Sequence, residues 1–179
     1  MLIIVPAREG SKGLPGKNSR DFCGHALIDW SLSAALYLQE KIVGASVQVT
    51  TDCPTILALT AQKYGSRITA RKRPAALASD TAAMADVILD AADFSGMGRA
   101  GRYVLLQPTS PLRCAVHIEE AIALLKEKKA DSVVSVCPAE HSPLWANTLN
   151  ETQSMNVFIP DELKNLRSQD LPEYYRLNG

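Results

Sequence analysis

The apolar run Leu2 to Val5 is short, β-branched and without polar alternation, and similar short runs recur at Ala45 to Thr50, Tyr103 to Leu106 and Ser132 to Val136, with polar residues interspersed in the second and fourth. Runs of this kind, rich in β-branched residues, suit central parallel strands covered on both faces. Between them the apolar period changes. Ile28, Leu32, Ala35 and Leu36 share one face of a 3.6-residue repeat, as do Leu57, Ala61 and Tyr64, then Met84, Val87, Ile88 and Ala91, then Ile118, Ala121, Ile122 and Leu125. Strand and helix signals in alternation predict right-handed βαβ units, and so an α/β fold with an open, mostly parallel, doubly wound sheet. Such sheets bind ligands outside the carboxyl ends of their strands, which directs attention to the segments after Val5, Thr50 and Leu106.

From Pro138 to about Pro172 the periodicity weakens, and the segment carries Trp145, Met155, Val157, Phe158 and Ile159 among polar residues. The reading is a core over residues 1–137, an excursion over 138–172 and a return to the core over 173–179 that stops short of its natural end. Apolar residues in such an arm either pack as a long loop or serve a contact between subunits, here expected to be a homodimer.

Composition narrows the function classes. A chain of 179 residues suits one domain with a hydrophobic core. The 19 Lys and Arg balance the 19 Asp and Glu, so no net field favours nucleic acid or a membrane surface as partner. No run approaches the roughly 20 apolar residues of a membrane span, and the apolar start is halted by Pro6 and Arg8. Cys23, Cys53, Cys114 and Cys137 form no CxxC pair and have no histidine in zinc-finger register, as expected of reduced cysteines in a cytoplasmic protein.

Any anion site must therefore be local, and the segment after the first strand offers one. Pro6 to Asn18 reads PAREGSKGLPGKN, with glycines at 10, 13 and 16 and cations at Arg8, Lys12 and Lys17. Glycines let the backbone turn and present N–H groups inward, while arginine forks and lysine point charges suit phosphate oxygens. The alternative is an ordinary βα loop with solvated basic residues. A Walker loop would need Ser or Thr where Asn18 stands, and the GxGxxG dinucleotide fingerprint is absent, which disfavours a dehydrogenase.

The run AREGSKGLPGKN resembles the amino-terminal signature of the acylneuraminate cytidylyltransferases. Three further segments resemble that family in the same order: KRPAALASDTA, LLQPTSPLR and RSQDLPEYYRLNG. KKADSVVSVCPAEHSPLW is similar to the family's strand and its departure into a dimerisation arm. The resemblance implies a Rossmann-like nucleotidyltransferase that moves CMP from CTP to the anomeric hydroxyl of an acidic nine-carbon sugar, with Mg²⁺ assistance and release of pyrophosphate. By motif position it implies nucleotide contacts at Ala7, Arg8, Lys12, Lys17, Asn18, Arg73, Ala82, Met84 and Thr109, with Arg8 and Lys17 catalytic. It implies sugar contacts at Gln107, Arg167 and Arg176.

Local chemistry fits several of these positions. Arg73 precedes Pro74, so its backbone is held extended and its guanidinium is fixed; a plain surface charge beside Arg71 and Lys72 is the alternative. Gln107 and Thr109 follow a buried strand in a proline-stiffened turn, where an amide and a hydroxyl can meet a sugar or merely satisfy the turn. Ser79, Asp80 and Thr81 read as a helix N-cap cluster. Of the histidines, His141 could approach the site, although an ordinary hydrogen-bonded role is preferred, and His25 and His117 show no partner pattern.

The sequence departs from the family pattern at Glu9, at Ala83 and Met84, and at Ser168, where many relatives carry arginine. The family's DxD-type acidic pair, which binds Mg²⁺, has no counterpart in these residues; Asp21, Asp52, Asp80 and Asp131 stand apart in sequence, and no metal ligand is assigned. On that ground the 179-residue chain is expected to bind nucleotide without turning it over. The competing readings are a non-catalytic nucleotide-binding or dimerising homologue, and an enzyme for a related acidic sugar such as Kdo.

Overall fold

The computed structural model describes residues 1–10, 13–98, 100–156 and 158–178. The chain divides into two compact units, Met1–Ala123 and Leu124–Asn178. In chain order the first unit holds β1 (Leu2–Pro6), a small β2–β3 hairpin (Asp21–Phe22 and His25–Ala26), α1 (Leu27–Lys41), β4 (Ser46–Thr51), α2 (Pro54–Tyr64), β5 (Ile68–Lys72), α3 (Met84–Phe94) and β6 (Tyr103–Leu105). Helix α4 (Ala115–Glu127) begins in it and runs past its limit.

The four long strands are parallel, in the order β5-β4-β1-β6. Chain progression runs outward on one side of β1 through β4 and β5, then jumps across to β6 on the other side. That reversal is a topological switch point, and it leaves a crevice where the loops after β1 and β6 part.

β1 can hold this central place because all five of its residues are buried. Ile3 and Val5 pack with Val47 and Val49 of β4 and with Ile28, Leu32 and Ala35 of α1. Leu2 and Ile4 face the other way, onto Ala91 and Ile88 of α3. Burying each such side chain stabilises the fold by about 1.5–3 kcal/mol, so a strand apolar on both faces gains from both helical layers.

Four sequence expectations shift. β5 carries no unbroken apolar run; only Ile68 of its five residues is buried, because it is the edge strand and presents Thr69, Arg71 and Lys72 outward or to α3. α2 forms as expected but buries Ile56 and Thr60 rather than Ala61, since the Thr60 hydroxyl donates to the Ile56 carbonyl at 2.7 Å and loses its polar cost. Ser79 to Thr81 do not cap α3; its N-cap is Ala83, without a side-chain bond. Ser132 to Val136 does not join the parallel sheet. Only Val136 enters a strand, β7 (Val136–Pro138), which pairs antiparallel with β8 (Tyr175–Leu177) in a separate two-stranded sheet.

The second unit, apart from the end of α4 and that ribbon, consists of turns, with short 3₁₀ segments at Pro143–Trp145, Asp161–Leu163 and Ser168–Asp170. Much of its apolar surface is exposed, including Val134, Met155, Tyr175 and Leu177. Among the described residues no helix is long and apolar enough to cross a membrane.

Helices α1 and α2 are tied by a polar contact as well as by packing. Asp29, buried on α1, accepts from Lys63 Nζ at 2.6 Å and from the Tyr64 hydroxyl at 2.7 Å. Burial, then the hydrogen bond and the charge of Asp29, raise the Tyr64 phenol well above its ordinary value. The unfolded chain releases this proton above about pH 10 while the folded chain keeps it. The stabilisation is therefore complete below about pH 10 and is lost as pH rises further, because the folded state then binds more protons than the unfolded one. Urea unfolding at intervals from about pH 9.5 to 11 should show stability falling more steeply in the wild type than in Tyr64→Phe; parallel slopes would contradict this.

Candidate functional site

The loop after β1 is held to the end of β4 by a series of hydrogen bonds. Ala7 N donates to the Thr50 carbonyl at 3.0 Å, and the Thr51 hydroxyl donates to the Ala7 carbonyl. The same hydroxyl accepts from Cys53 N at 3.0 Å, and Asp52 Oδ1 accepts from Glu9 N at 2.9 Å. Ala7 is buried, Arg8 half-buried and Glu9 exposed, so the chain emerges from the sheet over these three residues.

Asn18 closes the loop from its far end. It is buried in the 3₁₀ turn Lys17–Ser19, and its Nδ2 donates to the Arg8 carbonyl at 3.1 Å. Gly16 precedes that turn with φ 64°, in the left-handed region that glycine enters without steric cost. Lys17 is half-buried, with no ion-pair partner among the described residues. Lys12 lies outside the described residues.

Arg73 is pinned beneath this loop. Its backbone N donates to the Thr51 carbonyl at 2.8 Å, and its Nη2 donates to the Thr50 carbonyl at 2.8 Å. Only 5% of the residue is exposed. Burial lowers its pKa, the Asp52 carboxylate opposes that lowering, and the like charge of Arg8 adds to it. An arginine nevertheless stays charged, so Arg8 and Arg73 form a cationic pair at the carboxyl ends of β1 and β5.

Arg8 Nη1 meets Asp80 Oδ1 at 2.5 Å, with both side chains partly exposed. Asp80, apart from Arg8 in sequence, is thus brought to it by the turn that follows Pro74. Ala82 is half-buried in the same connection, and Met84 opens α3 with 38% of its surface exposed.

Across the crevice, Leu106 N donates to the Ile4 carbonyl at 2.9 Å, which brings the turn after β6 out beside the end of β1. The Thr109 hydroxyl donates to Gln107 Oε1 at 3.4 Å. The Gln107 carbonyl is bound from behind by Ser31 Oγ and Arg113 Nη2, each at 3.3 Å. Sequence reasoning passed over Ser31, Arg113 and Thr51 and weighed Asp52 only as an isolated carboxylate, because each has a partner distant in the chain.

Arg167 and Arg176 belong to the second unit. Arg167 is exposed and bonded in a fork to Asp170, with Nε to Oδ2 and Nη2 to Oδ1 both at 2.9 Å. This contact holds Asp170 below its ordinary carboxylate value, first through the side-chain bond and then through the Arg167 backbone N–H. Arg176 lies exposed on β8, opposite Cys137.

The remaining candidates have ordinary partners. His25 packs edge-on against Trp30 at 5.8 Å, and His117 Nδ1 accepts from Cys114 N at 3.4 Å. The four cysteines are unpaired. Among the described residues no group of three or more His, Cys, Asp or Glu side chains converges as a cation site.

A cationic, glycine-bearing loop at the switch point of a parallel sheet defines a nucleotide-handling α/β protein. The chain belongs to the cytidylyltransferase family, whose sequence profile matches residues 2–178. It is 35% identical over 189 aligned positions to the CMP-N,N'-diacetyllegionaminic acid synthase of Legionella pneumophila, covering 100% of this chain and 75% of that protein. It is 32% identical to the N-acylneuraminate cytidylyltransferase of Streptococcus agalactiae serotype V and 33% identical to that of Escherichia coli O18:K1:H7. The chain spans 41% and 40% of the length of those two proteins, of which 99% and 98% of this chain are matched. The fold is similar to that of a CMP:2-keto-3-deoxy-manno-octonic acid synthetase solved in complex with CTP, with a TM-score of 0.61 over 99% of this chain and 71% of that one, at 22% identity.

Thr51 tests how firmly the loop is seated. Thr51→Val keeps the shape but removes both the donor to Ala7 and the acceptor for Cys53, leaving a buried carbonyl and a buried N–H unsatisfied. A loss of about 1–3 kcal/mol in urea unfolding is expected. Thr51→Ser should recover most of it; equal stability of the valine variant and the wild type would reject the anchoring role.

Proposed function

We propose that the chain transfers CMP from CTP to the anomeric hydroxyl of an acidic nonulosonic sugar of the sialic acid type. The hydroxyl oxygen bonds to the α-phosphorus, the bond between that phosphorus and the bridging oxygen breaks, pyrophosphate leaves and the hydroxyl proton passes to water. The observation that carries this reading is the placement, at the carboxyl ends of the paired strands β1 and β6, of a tethered cationic loop and of an amide and a hydroxyl. The names of the Legionella, Streptococcus and Escherichia relatives, all CMP-sugar synthases or N-acylneuraminate cytidylyltransferases, support the substrate class.

In this reading Arg8 and Lys17, with Lys12, receive the triphosphate, and their charge offsets that developing on pyrophosphate. Asn18 and Ala7 present the loop backbone, and Arg73 lies beneath it as a fixed guanidinium. Ala82, Met84 and Thr109 are assigned to the nucleotide, and Gln107, Arg167 and Arg176 to the sugar. Catalysis is then mainly positioning and charge neutralisation. The Mg²⁺ that the family resemblance implies finds no ready cluster of ligands among the described side chains.

Arg8 must exchange Asp80 for phosphate when nucleotide binds. That exchange is cheap because the pair is partly exposed and screened by water. Lys17 has no such competitor among the described residues, so it contributes the larger share of affinity. Lys17→Ala should weaken CTP binding in calorimetry by about 1.5–3 kcal/mol, the worth of a charge-assisted contact. Unchanged affinity would remove the loop from the nucleotide site. The proposal extends to a cytoplasmic homodimer held partly through residues 138–172. Sedimentation should give a dimer for the whole chain and a monomer once that segment is deleted, whereas a monomeric whole chain at micromolar concentration would argue for a packed loop.

A further inference from the structure

The turn between β6 and α4 carries a guanidinium to which the proposed reaction gives no task. Arg113 is half-buried, and burial lowers its pKa. No carboxylate pairs with it among the described residues. Its Nε is enclosed without any hydrogen-bond partner, and its Nη2 donates to Ser31 Oγ at 2.9 Å and to the Gln107 carbonyl at 3.3 Å. Ser31, itself only 2% exposed on α1, donates to the same carbonyl.

A contrast within the same unit gives this arrangement its meaning. Arg71, which fastens β5 to α3, is matched by the Asp90 carboxylate at 3.0 and 3.3 Å and lies over the Phe94 ring. An arginine kept for stability alone is normally paired in that way, because an unneutralised, incompletely bonded guanidinium is costly to enclose. Arg113 bears that cost at the point where two donors converge on the Gln107 carbonyl. The carbonyl fixes the backbone from which the Gln107 amide projects, and that amide is in turn bonded to the Thr109 hydroxyl.

We propose that Arg113 is a positioning residue: with Ser31 it clamps the Gln107 backbone to α1, so that the Gln107 amide is preset to meet the acidic sugar. This rests on the reading of Gln107 as a sugar contact. The clamp lies behind the turn, so its loss alters sugar recognition while leaving the triphosphate loop as it is.

The test uses the whole chain in three forms, wild type, Arg113→Met and Arg113→Lys, with the Gln107 side-chain amide followed by ¹⁵N-resolved NMR and assigned through its disappearance in Gln107→Glu. In Arg113→Met the amide signal should shift and narrow as the side chain becomes mobile. With divalent cation withheld by EDTA so that no turnover is read, the affinity for N-acetylneuraminate titrated calorimetrically onto the CTP-loaded protein should weaken about tenfold, the scale of one lost hydrogen bond. CTP affinity should stay within about twofold of wild type, since the clamp does not touch the loop after β1. Arg113→Lys, with a single ammonium in place of the fork, should restore the signal and the sugar affinity only in part.

An unmoved Gln107 signal in folded Arg113→Met overturns the proposal, as does a parallel loss of CTP and sugar affinity. Should Arg113→Met not fold, Ser31→Ala removes the shared hydroxyl while keeping the charge, and the same readouts apply. If the wild type binds CTP but not N-acetylneuraminate, the sugar assignment fails separately, and the Gln107 signal alone decides whether Arg113 positions that side chain.

Discussion

Closure of the loop after β1 onto the end of β4 is the constraint on which the site depends. Thr50, Thr51 and Asp52 supply partners to Ala7 and Glu9, and Asn18 returns to the Arg8 carbonyl from ten residues further on. The loop is glycine-bearing and would otherwise sample many conformations at entropic cost on binding. Bonding it at its root and at its far end lowers that cost. The same bonds give the buried polar end of β4 its partners: Thr50 accepts from Ala7 and Arg73, and Thr51 bonds Ala7 and Cys53.

The cations of the crevice differ in how they are held, and the difference follows from burial. Arg73 is nearly enclosed and bound to a carbonyl, so it cannot move and contributes a fixed charge. Arg8 is partly exposed and held by a carboxylate that solvent screens, so it can be redirected. A fixed positive charge and a redirectable one are thus close enough at this end of the sheet for each to act on the other.

β1 was legible in the sequence because a centrally placed strand must be apolar on both faces, and it meets that demand at every residue; β6, although at an edge, keeps an apolar run because Val104 packs on one core cluster and Tyr103 and Leu105 on the other. The edge strand β5 was not legible in this way, because its edge faces solvent and needs no such run. The face of α2 was misphased for a related reason: Thr60 hides its hydroxyl in a bond to its own helix and then packs as if apolar. The valines near residue 134 read as core but lie exposed or half-buried, since apolar composition does not itself supply a neighbouring strand. Of the candidate site residues, the cations after β1 stand out in the sequence by their spacing, and Gln107 and Thr109 by their place after a strand. Asp80, Ser31 and Arg113 do not, because their roles are set by pairings across long stretches of chain that tertiary folding alone creates.

Gly16 imposes a demand of handedness rather than of room. A Cβ placed there would meet Ser19 Oγ at 3.7 Å, an ordinary contact, while the backbone at φ 64° is one that left-handed amino acids resist. A residue of the opposite chirality would sit at this position at ease and would stiffen the turn that carries Lys17. The position is therefore glycine for want of a mirror-image monomer, and the ribosome's alphabet, not crowding, sets how rigid this corner of the loop can become.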